Sequence, residues 1–103
     1  MAIELERRPG HVVARVFGLF ARDDARTVCE VLARDQRLCV RLDLQESRGC
    51  EPTALATLAD ALRELPERLQ VVGLCWDERR LLAYFGVADA RAEDAPDVRG
   101  DER

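Results

Sequence analysis

Cys50 is the residue best suited to covalent chemistry, because it stands beside Glu51 in a segment without apolar periodicity. A thiol nucleophile needs a base within hydrogen-bond reach and a group that orients the base. Adjacent residues rarely present both side chains to one substrate atom, and the single histidine, His11, is distant in the sequence. We therefore expect a protein that is not an enzyme. A small-molecule-binding or Cys50-dependent thiol role is the alternative from another class.

The cysteines also bear on metal binding and on the compartment. No two of them form a C-x-x-C pair, and no loop alternates oxygen ligands as a calcium site does, so we expect neither metal nor cofactor. We expect the cysteines to be small buried hydrophobes in a reducing compartment, with the loop residue Cys50 as the one exposed thiol. The cysteines are Cys29, Cys39, Cys50 and Cys75.

Length and charge limit the classes of function. A chain of 103 residues is long enough for one domain, which we assign to residues 1–90. Residues 91–103 are mostly charged and have too few apolar groups to offset ordering entropy, so we expect a disordered tail. A formal net charge of −4 without a basic stripe argues against nucleic acid. No apolar run reaches a membrane-spanning length and no signal pattern is visible, which predicts a cytoplasmic protein.

The first half of the chain predicts a hairpin, a helix and a strand. Residues 2–7 alternate, Pro9 and Gly10 make a turn, and residues 11–17 are rich in β-branched side chains. Arg22–Arg34 has apolar residues at helical spacing after two acidic residues. Residues 37–44 then alternate, with leucine and valine on one face only. We expect one face of the sheet to be covered and the other to be partly polar.

The second half predicts a loop followed by a helix, a strand and a short helix. Residues 45–51 lack periodicity, and Pro52 suits the first turn of a helix with a stripe of leucines. A strand is predicted over residues 70–76, and Asp77 is the expected N-cap of a short helix that Gly86 ends. The order predicts an α/β fold, a mixed sheet of about four strands with three helices mainly on one face.

At this point the chain resembles the STAS domain, over residues 3–90. This family includes bacterial anti-sigma-factor antagonists, stressosome subunits, the small subunit of the Mla lipid transporter and the tails of sulfate transporters. The resemblance implies a single STAS-like domain. The matching segments are residues 16–18, 42–44, 51–58, 71–74 and 81–87.

The family's characteristic stretch is an Asp, two hydroxyl residues, Gly and Leu at the start of a helix. Here it is degenerate: Leu55 is retained, but Glu51 stands for the Asp, Ala54 for the Gly, and Pro52 for the first hydroxyl residue, the phosphoacceptor of the phosphorylated members. Proline has no oxygen to phosphorylate, so we expect no phosphorylation at position 52. Thr53 is a poor substitute because each residue rotates the side chain by about 100° around a helix. We expect Thr53 to help cap its own helix.

The resemblance implies a regulatory module that binds another protein through the loop and the helix start. The partner-binding residues that we expect are Ser47, Arg48, Glu51, Pro52, Thr53 and Ala56. By resemblance the partner is an anti-sigma kinase or, alternatively, the ATPase subunit of a lipid-transport ABC complex. A homodimer that pairs edge strands is a third alternative.

Overall fold

The elements follow the alternation and periodicity of the sequence closely. The computed structural model describes residues 3–87, so the predicted tail at residues 91–103 lies outside the described part of the chain. In chain order the elements are β1 (Ile3–Arg8), β2 (His11–Val16), β3 (Gly18–Phe20), α1 (Arg22–Arg34), β4 (Cys39–Asp43), β5 (Ser47–Cys50), α2 (Pro52–Glu64), β6 (Leu69–Val72) and α3 (Trp76–Tyr84).

Four strands form a mixed sheet in the order β1-β2-β4-β6. The hairpin pairs β1 with β2 antiparallel, whereas β2, β4 and β6 are parallel neighbours. Helices α1 and α2 make the two crossovers that parallel strands require. The predicted mixed four-stranded sheet with three helices is therefore confirmed. Within residues 3–87 no helix is long and apolar enough to cross a membrane.

The core lies between one face of the sheet and the helices. Strand β4 shows the division, because Val40 and Leu42 are buried whereas Cys39 and Arg41 on the opposite face are exposed. Helix α2 packs against α1 and contributes three of its predicted leucines to this core, while Leu65 is half-buried at the end of the helix. The three buried leucines are Leu55, Leu58 and Leu62.

A second, two-stranded sheet occupies a region that the sequence predicted as a loop. Strand β3 pairs with β5 in parallel, with Leu19 opposite Gly49 and Phe20 opposite Cys50. The prediction of an unstructured loop over residues 45–51 is wrong for this reason. Neither strand is long enough to show an alternating pattern, and their pairing joins residues about thirty positions apart, which periodicity cannot detect.

The start of α3 also differs from the prediction. Strand β6 ends at Val72, and Trp76 is the first residue of α3 rather than the end of a strand. The N-cap is Cys75 and not Asp77, because the carboxylate of Glu78 accepts the backbone N–H of Cys75 at 3.0 Å. A carboxylate three residues into the helix thus satisfies the cap from inside the first turn. The predicted end of the helix is confirmed, since α3 ends at Tyr84 with Phe85 as its C-cap, and Gly86 follows with a φ of +94°.

The cysteines are less buried than the sequence indicated. All four are free thiols; Cys39 and Cys75 are exposed, and Cys29 and Cys50 are half-buried. The expectation that Cys50 is exposed and the other three cysteines are buried is therefore wrong. Cys39 lies on the uncovered face of the sheet, and Cys75 lies at a helix cap, whereas Cys50 in β5 packs against the core.

Candidate functional site

The predicted partner-binding residues lie together along β5 and the first turns of α2. We call this group the docking surface: Ser47, Arg48, Glu51, Pro52, Thr53 and Ala56. Ser47 and Arg48 belong to β5, Glu51 is the N-cap of α2, and the other three lie in its first two turns. Arg48, Pro52 and Thr53 are exposed and the others are half-buried.

Strand β3 holds the β5 part of the docking surface in place. Ser47 pairs with Gly18, and the backbone N–H of Glu51 donates to the carbonyl of Phe20 at 2.9 Å. Phe20 is completely buried, so the backbone that accepts this hydrogen bond is fixed to the core. The segment in front of α2 therefore has a defined path rather than that of a free loop.

The start of α2 is shaped by Pro52 and Glu51. Pro52 occupies the first helical position, where its missing N–H costs no hydrogen bond, as the sequence predicted. The expectation that Thr53 caps the helix is wrong, since Glu51 is the N-cap and no side chain caps it. The carboxylate of Glu51 instead accepts the backbone N–H of Arg22 at 3.1 Å, which ties the start of α2 to the start of α1.

Two apolar side chains that the sequence analysis missed lie beside the docking surface. Phe17 is 42% exposed and Leu19 is 49% exposed. Leu19 pairs with Gly49, which has no side chain to cover it, so part of the leucine faces solvent. The one signal in the sequence is the presence of two apolar residues on each side of Gly18, a segment too short to be distinguished from the end of a strand.

Cys50 is not poised as a nucleophile. Burial, together with the carboxylate of Glu78, raises the pKa of the Cys50 thiol far above its ordinary value, so the thiolate is scarce at neutral pH. The carboxylate that acts on Cys50 comes from α3 and not from the adjacent Glu51. His11 begins β2 and lies at the amino-terminal ends of the parallel strands, whereas Cys50 and α2 follow their carboxyl-terminal ends. His11 and Cys50 therefore do not form a catalytic pair.

A crevice of about 470 Å³ lies at the end of the sheet where His11 begins β2. Its charged lining includes Arg41 and Arg68. The Arg68 guanidinium donates to the carbonyls of Leu32 and Asp35 and therefore stabilises the C-terminal end of α1. Within residues 3–87 no three His, Cys, Asp or Glu side chains are grouped closely enough to hold a metal ion.

Comparison by sequence and by structure gives different results. No protein-family model and no curated protein matches the sequence. The anti-sigma factor antagonist SpoIIAA in its unphosphorylated form superposes with a TM-score of 0.68 and 15% identity, over 91% of this chain and 89% of that one. The chain is also similar to an uncharacterized protein of the DUF3478 family with a SpoIIAA-like fold from Shewanella loihica PV-4, with a TM-score of 0.50 and 16% identity over 82% and 77% of the chains.

A third similar structure is that of Mglu, with a TM-score of 0.55 and 21% identity over 68% of this chain. The match spans only 19% of the Mglu chain, so it concerns a part of that protein. Identities this low establish the fold and leave the function to be argued from the site. The described residues therefore form a STAS-like domain with the SpoIIAA-like fold that the resemblance implied.

Proposed function

We propose that the protein is a non-enzymatic STAS-type interaction module, similar to an anti-sigma-factor antagonist, and that it binds a protein partner through the docking surface. The fold supports this proposal because SpoIIAA itself is an anti-sigma factor antagonist. The chemistry of the site agrees with it, since burial and the carboxylate of Glu78 both raise the pKa of Cys50 and so favour the unreactive thiol. The surface therefore works by shape and apolar contact rather than by bond making.

The observation that carries the proposal is that two partly exposed apolar side chains, Phe17 and Leu19, lie in or next to strands that are hydrogen-bonded to each other. Leu19 lies in β3, which pairs with β5 of the docking surface, and Phe17 comes just before β3 in the chain. Burial of a half-exposed leucine in an interface contributes roughly 1 kcal/mol, and a frame that is already ordered loses little entropy on binding. Arg48 at the rim supplies a charge that contributes to orientation more than to affinity.

Pro52 removes the possibility of regulating this module by phosphorylation at position 52. By resemblance this position holds the phosphoacceptor in phosphorylated relatives, and proline offers no hydroxyl. Binding through this surface is then insensitive to kinases that act at position 52. The exposed hydroxyl of Thr53 lies one residue further along the helix and points in a different direction.

The experiment is co-purification of the full chain from its native host, followed by titration of the purified partner against variants. Thr53→Arg and Ala56→Glu place a charge in the docking surface and should weaken binding about tenfold or more. The matched controls are Ala33→Arg and Ala33→Glu, at an exposed alanine near the end of α1, and these should bind like the native protein. Circular dichroism checks that all four variants fold.

The outcomes separate the alternatives. A kinase with a sigma factor would support the antagonist role, whereas an ABC ATPase would support a lipid-transport subunit that uses the same surface. Full binding by both Thr53→Arg and Ala56→Glu would remove the proposed docking surface. Light scattering over a concentration series tests the third alternative, a homodimer.

A further inference from the structure

An open groove of about 360 Å³ runs along the outer seam between α1 and α2. It lies over the C-terminal parts of the two helices. From Thr57 to Leu65 the chain of α2 rises by about 12 Å, at 1.5 Å per residue, so the groove spans about two turns of helix. The residues that line it are Cys29, Leu32 and Ala33 of α1 and Thr57, Asp60, Ala61, Glu64 and Leu65 of α2 and its C-cap.

Small apolar side chains leave this groove open. Cys29, Ala33 and Ala61 occupy positions along the seam where larger side chains would fill it. Leu32 and Ala61 are buried, Cys29 and Leu65 are half-buried, and Ala33 is exposed. The seam therefore offers accessible apolar surface on which the side chains of a partner can pack.

The rim of the groove on the α2 side is acidic. Asp60 and Glu64 are both exposed and stand four residues apart, so they are neighbours on one face of the helix. Like charges at this spacing destabilise a helix, and Glu64 also lies in the last turn, at the negative end of the helix dipole. Among the described residues no arginine lines the groove. A cation at this rim would offset both unfavourable interactions.

Glu30 adds a third carboxylate, from α1. Burial raises the pKa of the Cys29 thiol in the groove, and nearby carboxylates raise it further. Those carboxylates belong to Asp60, Glu64 and Glu30. Asp60 is paired with Arg63 on its own helix, but neither Glu30 nor Glu64 has a hydrogen-bond or ion-pair partner within residues 3–87. The groove therefore carries negative charge on both of its sides.

We propose that this groove binds a basic amphipathic helix of a protein partner. The apolar face of that helix would pack between α1 and α2, with lysine or arginine side chains opposite Glu30 and Glu64. Apolar side chains at positions i, i+3 or i+4 and i+7 span about 10.5 Å of helix rise, which fits the length of the groove. The acidic rim fixes the charge of the partner. This groove is a second surface, and the proposal does not rest on the proposed function.

The test uses the full native chain and two synthetic helical peptides of equal length. One peptide has leucine at helical spacing on one face and lysine on the other, and the second has glutamate in place of lysine. Chemical-shift mapping of the backbone amides by NMR should place the lysine peptide on the C-terminal parts of α1 and α2. Titration calorimetry should show no binding of the glutamate peptide, and added salt should weaken binding of the lysine peptide.

Variants of the protein locate the binding. Ala33→Arg fills the groove with a bulky cation, and the double variant Glu30→Gln/Glu64→Gln removes the two unpaired carboxylates. Each should weaken binding of the lysine peptide about tenfold. Glu46→Gln is the matched control, because it removes an exposed carboxylate just before β5 and should leave this affinity unchanged. Ala33→Arg should still bind the partner of the docking surface, which separates the two surfaces.

Three outcomes of the peptide experiment would each overturn the proposal: equal affinity for the glutamate peptide, amide shifts that lie outside α1 and α2, or native affinity in the double variant. A concentration-dependent dimer of the native chain that Ala33→Arg abolishes would also overturn it, because a second copy would then fill the groove. Failure of this test leaves the docking surface in place, since that surface is tested with a different partner and with Thr53→Arg and Ala56→Glu.

Discussion

Replacing Gly73 by alanine should destabilise the protein through a backbone collision. Gly73 has a φ of +86°, in the left-handed region, and a Cβ there would lie 2.5 Å from the nitrogen and 2.9 Å from the Cα of Gln45. The left-handed conformation costs an alanine about 1–2 kcal/mol. The collision adds about 1–3 kcal/mol, as overpacking does, because the backbone of Gln45 cannot rotate away like a side chain. We expect a total loss of about 2–5 kcal/mol.

Gly10→Ala is the matched control for this prediction. Gly10 has a φ of +80°, but no atom lies within 4 Å of where its Cβ would be. The control therefore carries the conformational cost alone, about 1–2 kcal/mol. Urea unfolding of the native protein and both variants, with unchanged m-values, measures the difference. If Gly73→Ala loses no more stability than Gly10→Ala, the backbone of Gln45 does not lie as close to Gly73 as the structure places it.

Two further predictions concern charged groups. Arg68→Lys should lower the free energy of unfolding by about 1–3 kcal/mol in thermal denaturation, because a single ammonium cannot replace the Nε bond to Leu38 together with the Nη2 bonds to Leu32 and Asp35; unchanged stability would contradict this role. The hydrogen bond from Arg15 lowers the pKa of Glu6 below its usual range, so its stabilising effect exists above the unfolded pKa and is lost as the pH falls through the folded one. The stability of the native protein should thus exceed that of Glu6→Gln at neutral pH, and this difference should shrink as the pH falls through the folded pKa of Glu6; a difference in urea midpoint that stays constant with pH would contradict the prediction.

The main elements could be predicted from the sequence because their signals are local. The periodicity of Arg22–Arg34 and the proline at position 52 gave the bounds of α1 and the start of α2. The one-sided alternation of β4 correctly predicted a sheet with a single covered face. These patterns work because burial of one face selects apolar residues at the period of the element itself.

The strand pairing and the exposed leucine beside the docking surface could not be predicted in the same way. The pairing of β3 with β5 joins segments that are short and distant, and neither has a period of its own. The exposure of Leu19 depends on its being opposite Gly49, which is a property of the register and not of either residue. Thr53 does not cap α2 because it is the second residue of the helix, one position past the start at Pro52, and the N-cap position belongs to Glu51.

The sequence by itself determined the order along the chain of the three helices and of the four strands in the main sheet, the absence of a side-chain hydroxyl at position 52 and the location of the docking surface residues in one stretch of chain. Only the tertiary structure decided which side chains from distant segments meet. The segments that follow β4 and β6 meet because these parallel strands end on the same side of the sheet, and Gly73 lets its backbone approach that of Gln45. Such contacts depend on long-range packing, which has no counterpart in local periodicity.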